Sequence, residues 1–153
     1  MPKIDVANVP SQASTNYPQQ YHKVVEGRSR KRLGNAIGLT QFGVNICTLK
    51  PGAASSLRHW HSGEDEFVYV LEGEVVLVEN EGETVLKAGD AAGWKANSGN
   101  GHCLINRSNA DARFIEIGTR ATHDHVEYPE ADLVIDKDEK GVRRMRKSGE
   151  PYA

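Results

Sequence analysis

Glu66-Phe67-Val68-Tyr69-Val70-Leu71 runs into Glu72-Gly73 and resumes as Val75-Val76-Leu77-Val78. β-Branched and aromatic residues flank a glycine turn, so the stretch reads as strand, turn, strand. The same grammar extends downstream. Asn80-Glu81-Gly82-Glu83 turns, Thr84-Val85-Leu86 follows, and Ala88-Gly89-Asp90 turns again. His102-Cys103-Leu104-Ile105-Asn106 and Arg113-Phe114-Ile115-Glu116-Ile117-Gly118 complete the set. Upstream, Phe42-Gly43-Val44-Asn45-Ile46-Cys47-Thr48-Leu49 stops at Pro51-Gly52. Many short strands at close spacing predict an all-β sandwich or barrel. No stretch carries the 3.6-residue apolar period of a long helix, and no internal repeat is present.

The flanks read differently. Residues 1–35 are polar and weakly periodic, with Pro10, Pro18 and an apolar-poor stretch from Ser11 to Gln20, and they predict an irregular N-terminal arm. Residues 36–120 form the barrel domain, and residues 121–153 a C-terminal extension packed on it. In that extension Leu133-Val134-Ile135-Asp136 and Val142-Arg143-Arg144-Met145 flank Lys137-Asp138-Glu139-Lys140-Gly141, which reads as a hairpin with a glycine-containing loop.

A chain of 153 residues suits one core. Its formal net charge of −2 gives no overall field toward nucleic acid or anionic membrane. Two basic clusters, Arg28-Ser29-Arg30-Lys31-Arg32 and Arg143-Arg144-Met145-Arg146-Lys147, read as solvated faces, and nucleic acid is not an expected partner. Cys47 and Cys103 are too few for a disulfide scaffold and read as buried free thiols. The start carries no signal-type apolar region, and no run approaches the about 18 apolar residues of a membrane span, so a soluble cytoplasmic protein is the expectation.

Three histidines stand out. In a strand, residues two apart share a face, so His59 and His61 point one way and Trp60 the other. A following strand that opens near Glu66 brings a carboxylate to the same side, and His102 arrives from a distant strand. Glu64 shares the face of Glu66. Glu66 opens the apolar run and is therefore expected to be the more buried of the two, where an unpaired carboxylate would be costly; this favours Glu66. Imidazole and carboxylate together suit Zn, Mn, Fe, Co or Ni and single out none. An octahedral ion would keep open positions, whereas a zinc ion would be nearly saturated. His123 and His125 form a second His-x-His among acidic residues and read as solvated.

The spacing resembles the cupin superfamily, whose first motif is G-(X)5-H-X-H-(X)3-4-E-(X)6-G. Here Gly52 is followed by six residues, His59-Trp60-His61, four residues, Glu66, six residues and Gly73. The second motif is G-(X)5-P-X-G-(X)2-H-(X)3-N. Gly89, Gly99, His102 and Asn106 match it, but the proline is absent and Lys95 stands roughly in its place. The resemblance covers about Phe42 to Gly118 and is nearest to small single-domain bacterial conserved-barrel cupins. It implies a six- or seven-stranded antiparallel jelly-roll barrel. One divalent metal ion per chain (Zn, Mn, Fe or Ni) would lie inside on His59, His61, Glu66 and His102. It also implies a homodimer formed through the outer sheet and N-terminal strands.

Cupins run dioxygenation, decarboxylation, isomerisation and epimerisation, and also serve as binding modules, so fold alone does not give function. The expectation is a metal-dependent enzyme on a small polar, anionic or sugar-like molecule; the alternative is a non-catalytic binding or sensory module with a structural metal. Val68, Val70 and Leu104 are expected to line the pocket, with its mouth near Trp94 and Lys95. Catalytic candidates beyond the ligands are Lys95, which could pair with a substrate anion, and Glu116. Phe114, Glu116 and Gly118 share a face; an inward Glu116 would be a base, an outward one a surface residue, and outward is the expectation.

Overall fold

The computed structural model describes residues 2–153. Short 3-10 helices at Val6–Asn8 and Gln19–Val25 bracket β1 (Ser11–Gln12), and β2 (Arg28–Arg32) leads into one helical turn, α1 (Leu33–Ala36). The barrel strands follow: β3 (Phe42–Leu49), β4 (Trp60–His61), β5 (Glu66–Glu72), β6 (Glu74–Glu79), β7 (Gly82–Lys87), β8 (Ala91–Trp94), β9 (Cys103–Ile105) and β10 (Ala112–Thr119). The C-terminal segment adds β11 (Asp124–Glu127), β12 (Val134–Asp138) and β13 (Gly141–Met145).

Two antiparallel layers face each other as a jelly roll. One is a six-stranded sheet in the order β1-β2-β3-β10-β5-β8. The other joins β7-β6-β9 to β4-β11-β12-β13 through residues 53–59, which bridge to β9 at Ala54–Ile105 and to the residue before it at His59–His102. The sheets are not closed into a complete ring. Between them lie Cys47, Leu49, Val70, Val75, Leu77, Leu104, Ala112 and Phe114, all buried. Register follows the period-2 pattern: Phe114 pairs with Cys47 on one side and Val70 on the other, so three buried residues form one cross-strand row. The implied six or seven strands are therefore a core number, extended at one edge by β1 and β2 and at the other by the hairpin.

The structure corrects two readings of the flanks. The lead-in is mostly irregular, as expected, but Arg28–Arg32 is not a solvated face. It pairs with β3, placing Arg28, Arg30 and Arg32 beside Leu49, Cys47 and Asn45 on the inward face. Arg28 is only 6% exposed. The alternation Arg-Ser-Arg-Lys-Arg is a strand pattern whose inward residues happen to be charged. The C-terminal hairpin is tighter than read: Asp138 pairs with Gly141, leaving a two-residue turn at Glu139-Lys140. Both thiols are free and buried, and burial pushes Cys47 up to about 12 and Cys103 up to about 11.

Candidate metal centre

His59 and His61 lie on the strand that joins the two halves of the second layer, and His102 lies across the bridge from His59. Glu66 opens β5 on the opposite sheet, in a cross-strand row with Gly118 and Trp94. At Gly118 the absence of a side chain leaves open space beside the carboxylate; a Cβ there would meet nothing closer than 3.6 Å.

The three imidazoles share one design. His59 Nδ1–H donates to Leu57 O (2.9 Å), His102 Nδ1–H to Asn100 O (2.9 Å), and His61 Nδ1–H to Asp124 Oδ2 (2.6 Å). A carbonyl only accepts, so these partners put the proton on Nδ1 and leave Nε2 with its lone pair in the neutral ring. All three Nε2 atoms turn toward Glu66. His59 and His61 lie 3.4 and 3.3 Å from Oε1, and His102 lies 2.5 Å from Oε2. Lone pairs facing a carboxylate repel unless protons or a cation lie between them. Ligand atoms of His59, His61 and Glu66 lie within 4.8 Å of one another, so this group could hold a metal ion. The donor set and the anchoring of each ring through its far nitrogen fit such an ion.

Electrostatics follow from the geometry. In the metal-free site, where protons on Nε2 take the place of the ion, burial disfavours the charge on Glu66, but hydrogen bonds from His102, His59 and His61 outweigh it and hold the carboxyl well below its usual range. Burial likewise opposes charging of His61, yet Asp124 and Glu66 together raise it to about 10. Asp124 is lowered because His61 and the Gly63 N–H overcome its own burial.

Neighbouring groups fix the rings further. Trp94 stacks on His102 with centroids 3.8 Å apart and planes 3° apart, and its Nε1–H donates to Glu79. Tyr128 sits 5.6 Å from His59. Trp94 is thus a buried packing residue rather than a mouth residue. Because Trp94 points inward, Lys95 points outward; it is exposed and outside the cavity lining. The turn that lacks the family proline is held instead by Ala96 N–H to Asp65 Oδ1 and Asn97 N–H to His61 O, with Asn97 in the left-handed region. Asn106 is fully buried and donates to Leu49 O and Ala110 O, a scaffold role.

Glu116 corrects the outward expectation. It shares the inward face of the fully buried Phe114, lines the cavity, and pairs with Arg30 and Asn45 Nδ2. Val68 and Leu104 line the cavity as expected; Val70 lies in the core below it. The cavity encloses about 500 Å3, within the ordinary range for small-molecule sites. His123 and His125 lie outside its lining.

Sequence reasoning missed Asp124, Tyr17, Tyr128 and the inward arginines. A signal for Asp124 and Tyr128 existed: Asp124, Val126 and Tyr128 alternate with His125 and Glu127, and the first three are buried. Gly63 lets the loop after β4 approach β11 so closely that a Cβ would lie 2.4 Å from His123 O, and its N–H donates to Asp124 Oδ1.

A family model described as Cupin domain matches residues 45–118. A solved structure described as a sugar phosphate isomerase from the cupin superfamily, from Silicibacter pomeroyi, is 42% identical. The match covers 99% of this chain and 96% of that one, with a TM-score of 0.94. The chain belongs to the cupin superfamily. An oxalate-binding protein from Thermotoga maritima is 38% identical over 69 residues, 45% of this chain and 54% of that protein, so the chain spans about half of that relative's length. A polyketide cyclase from Streptomyces resistomycificus, 20% identical with a TM-score of 0.64 over 78% of this chain and 79% of that one, shares the fold.

Proposed function

We propose that this cupin holds one divalent metal ion on His59, His61, Glu66 and His102 and acts on a small anionic, sugar-like molecule. The observation that carries the reading is the convergence of three Nε2 atoms on one carboxylate, each ring held by an acceptor at Nδ1. Such an ion supplies Lewis-acid polarisation of a substrate carbonyl or hydroxyl oxygen. The chain's own residues do the rest. Trp94 and Tyr128 fix the rings and keep water from their apolar side. Glu116 and Glu64 are cavity carboxylates outside the ligand set, each beside a cation (Arg30 and Lys137), and are placed to move a proton. Likeness to a protein described as a sugar phosphate isomerase favours isomerisation.

The second reading, binding without turnover, is favoured by likeness to an oxalate-binding protein. Metal-loaded protein incubated with aldose and ketose phosphates in D2O, followed by proton NMR, separates the two. Deuterium uptake lost on chelation and in a folded His102→Ala variant supports the enzyme. Metal-dependent binding without exchange supports the binding module, and neither effect would refute both.

We also assign the chain to a homodimer. The outer face of the six-stranded sheet carries Val44, Ile46, Ile115, Ile117, Phe67 and Tyr69 in paired register, and Phe67 and Tyr69 are exposed. Among the described residues no helix is long and apolar enough to cross a membrane. The cytoplasm is the proposed location. The barrel domain is taken as residues 36–120, with residues 2–35 and 121–153 supplying further walls of the cavity.

A further inference from the structure

The cavity has two ends. One is the histidine and Glu66 cluster. The other lies where the edges of the two layers stay apart, between β2 on one side and β13 on the other, spanned by Ser14–Tyr17 of the lead-in. That end is lined by guanidinium groups. Arg28, 6% exposed, donates to Ser55 O and Ser14 O and pairs with no carboxylate. A buried cation held only by neutral carbonyls is an uncompensated charge. Arg30 beside it shares Ser55 O and uses Glu116. Arg144, from β13, lines the same cavity, and its Nε–H is buried without any acceptor.

A second orphan group has the opposite polarity. Asn45 Oδ1 is buried without a donor, while Asn45 Nδ2 is committed to Glu116. Native proteins leave few buried polar groups unpaired, and each one asks for a partner. A lone guanidinium N–H asks for an anionic oxygen. A lone carbonyl oxygen asks for a hydroxyl.

We propose that Arg28, Arg30 and Arg144 form a phosphate subsite at the open end of the barrel, and that Asn45 Oδ1 accepts from a hydroxyl of the same ligand, a sugar phosphate. The proposal rests on the sugar-like reading of the site and adds where its charged end lies. A guanidinium fork matches phosphate oxygens in pairs, which a point charge does not. The Tyr17–Tyr128 pair, centroids 5.8 Å apart, with Tyr128 also beside His59, links this wall to the histidine cluster. A ligand spanning both ends would be bipartite, with its sugar toward Glu66 and its phosphate toward Arg144.

Calorimetric titration tests this on chelator-treated and on metal-loaded protein, with fructose 6-phosphate, fructose and inorganic phosphate as probes and Mn2+ as a control. Without metal, fructose 6-phosphate and inorganic phosphate are expected to bind, and fructose to bind at least tenfold more weakly than its phosphate. Arg144→Gln should weaken fructose 6-phosphate about tenfold or more and leave Mn2+ loading of the histidine cluster unchanged. Arg28→Lys, which keeps the charge and can still reach a carbonyl, should weaken it less than tenfold and remain folded. Fructose binding as tightly as its phosphate, or both variants binding fructose 6-phosphate like the parent, would overturn the subsite. Failure to load metal sinks the metal-dependent reading alone, because the phosphate arm is read on metal-free protein.

Discussion

Asp124→Asn removes one charge and keeps the shape, which makes it a sharp probe of how His61 is set. Asp124 is 7% exposed; Oδ2 accepts from His61 Nδ1–H and Oδ1 accepts from Gly63 N–H. In the variant the amide oxygen can keep only one of these donors. If it stays with Gly63, an NH2 faces His61, and the ring must move its proton to Nε2 and lose the lone pair aimed at the metal. Loss of such an outer partner weakens metal affinity about 10–100-fold, or about 1.4–2.7 kcal/mol. Metal-free protein should also lose stability, by about 1.5–3 kcal/mol, because a hydrogen bond to a charged group goes. Calorimetric titration with Mn2+ or Zn2+ reads the first effect, and urea unfolding after chelation reads the second. Parent-like metal affinity in a folded Asp124→Asn protein would refute the claim that Asp124 sets the ligand tautomer.

Other consequences follow from the same contacts. Gly63→Ala puts a Cβ against a backbone carbonyl that cannot yield easily, so the loop must shift; a loss of about 1–3 kcal/mol in urea unfolding is expected, together with weaker metal binding. His61 is raised from 6.5 to about 10, so its charge stabilises the metal-free fold fully below pH 6.5 and this contribution fades as pH climbs to 10. Thermal melts of chelated protein should fall across that window, and metal, which displaces the proton, should bind more tightly as pH rises through it. Cys47 and Cys103, buried with raised thiols, should resist a thiol reagent at pH 8 until the chain is unfolded; rapid labelling of native protein would contradict their placement.

Much of the fold was legible because period-2 alternation is a local property. Phe42–Leu49, Glu66–Leu71 and Arg113–Gly118 became the central strands β3, β5 and β10. The resemblance singled out Glu66 among three consecutive acids; its carboxylate faces the Nε2 atoms of all three histidines, while Glu64 lies 3.6 Å from His61 Nδ1. What stayed hidden was long-range. Arg28–Arg32 alternates correctly, but only pairing with β3 shows that its arginines face inward. Glu116 was ambiguous because its face carries Phe114 while the other carries two isoleucines; the outer face turned out to be the apolar patch. Asp124 contacts His61 from 63 residues away, a separation that no local pattern encodes.

The central claim, that the histidine and Glu66 cluster is a metal site, is tested most directly by elemental mass spectrometry. The protein would be made without an affinity tag or added metal, beside a His59→Ala/His61→Ala variant. The account predicts about one divalent ion per chain in the parent and none in the folded variant. Parent protein that carries no more metal than the variant, even after incubation with manganese, zinc, iron or nickel, would contradict it.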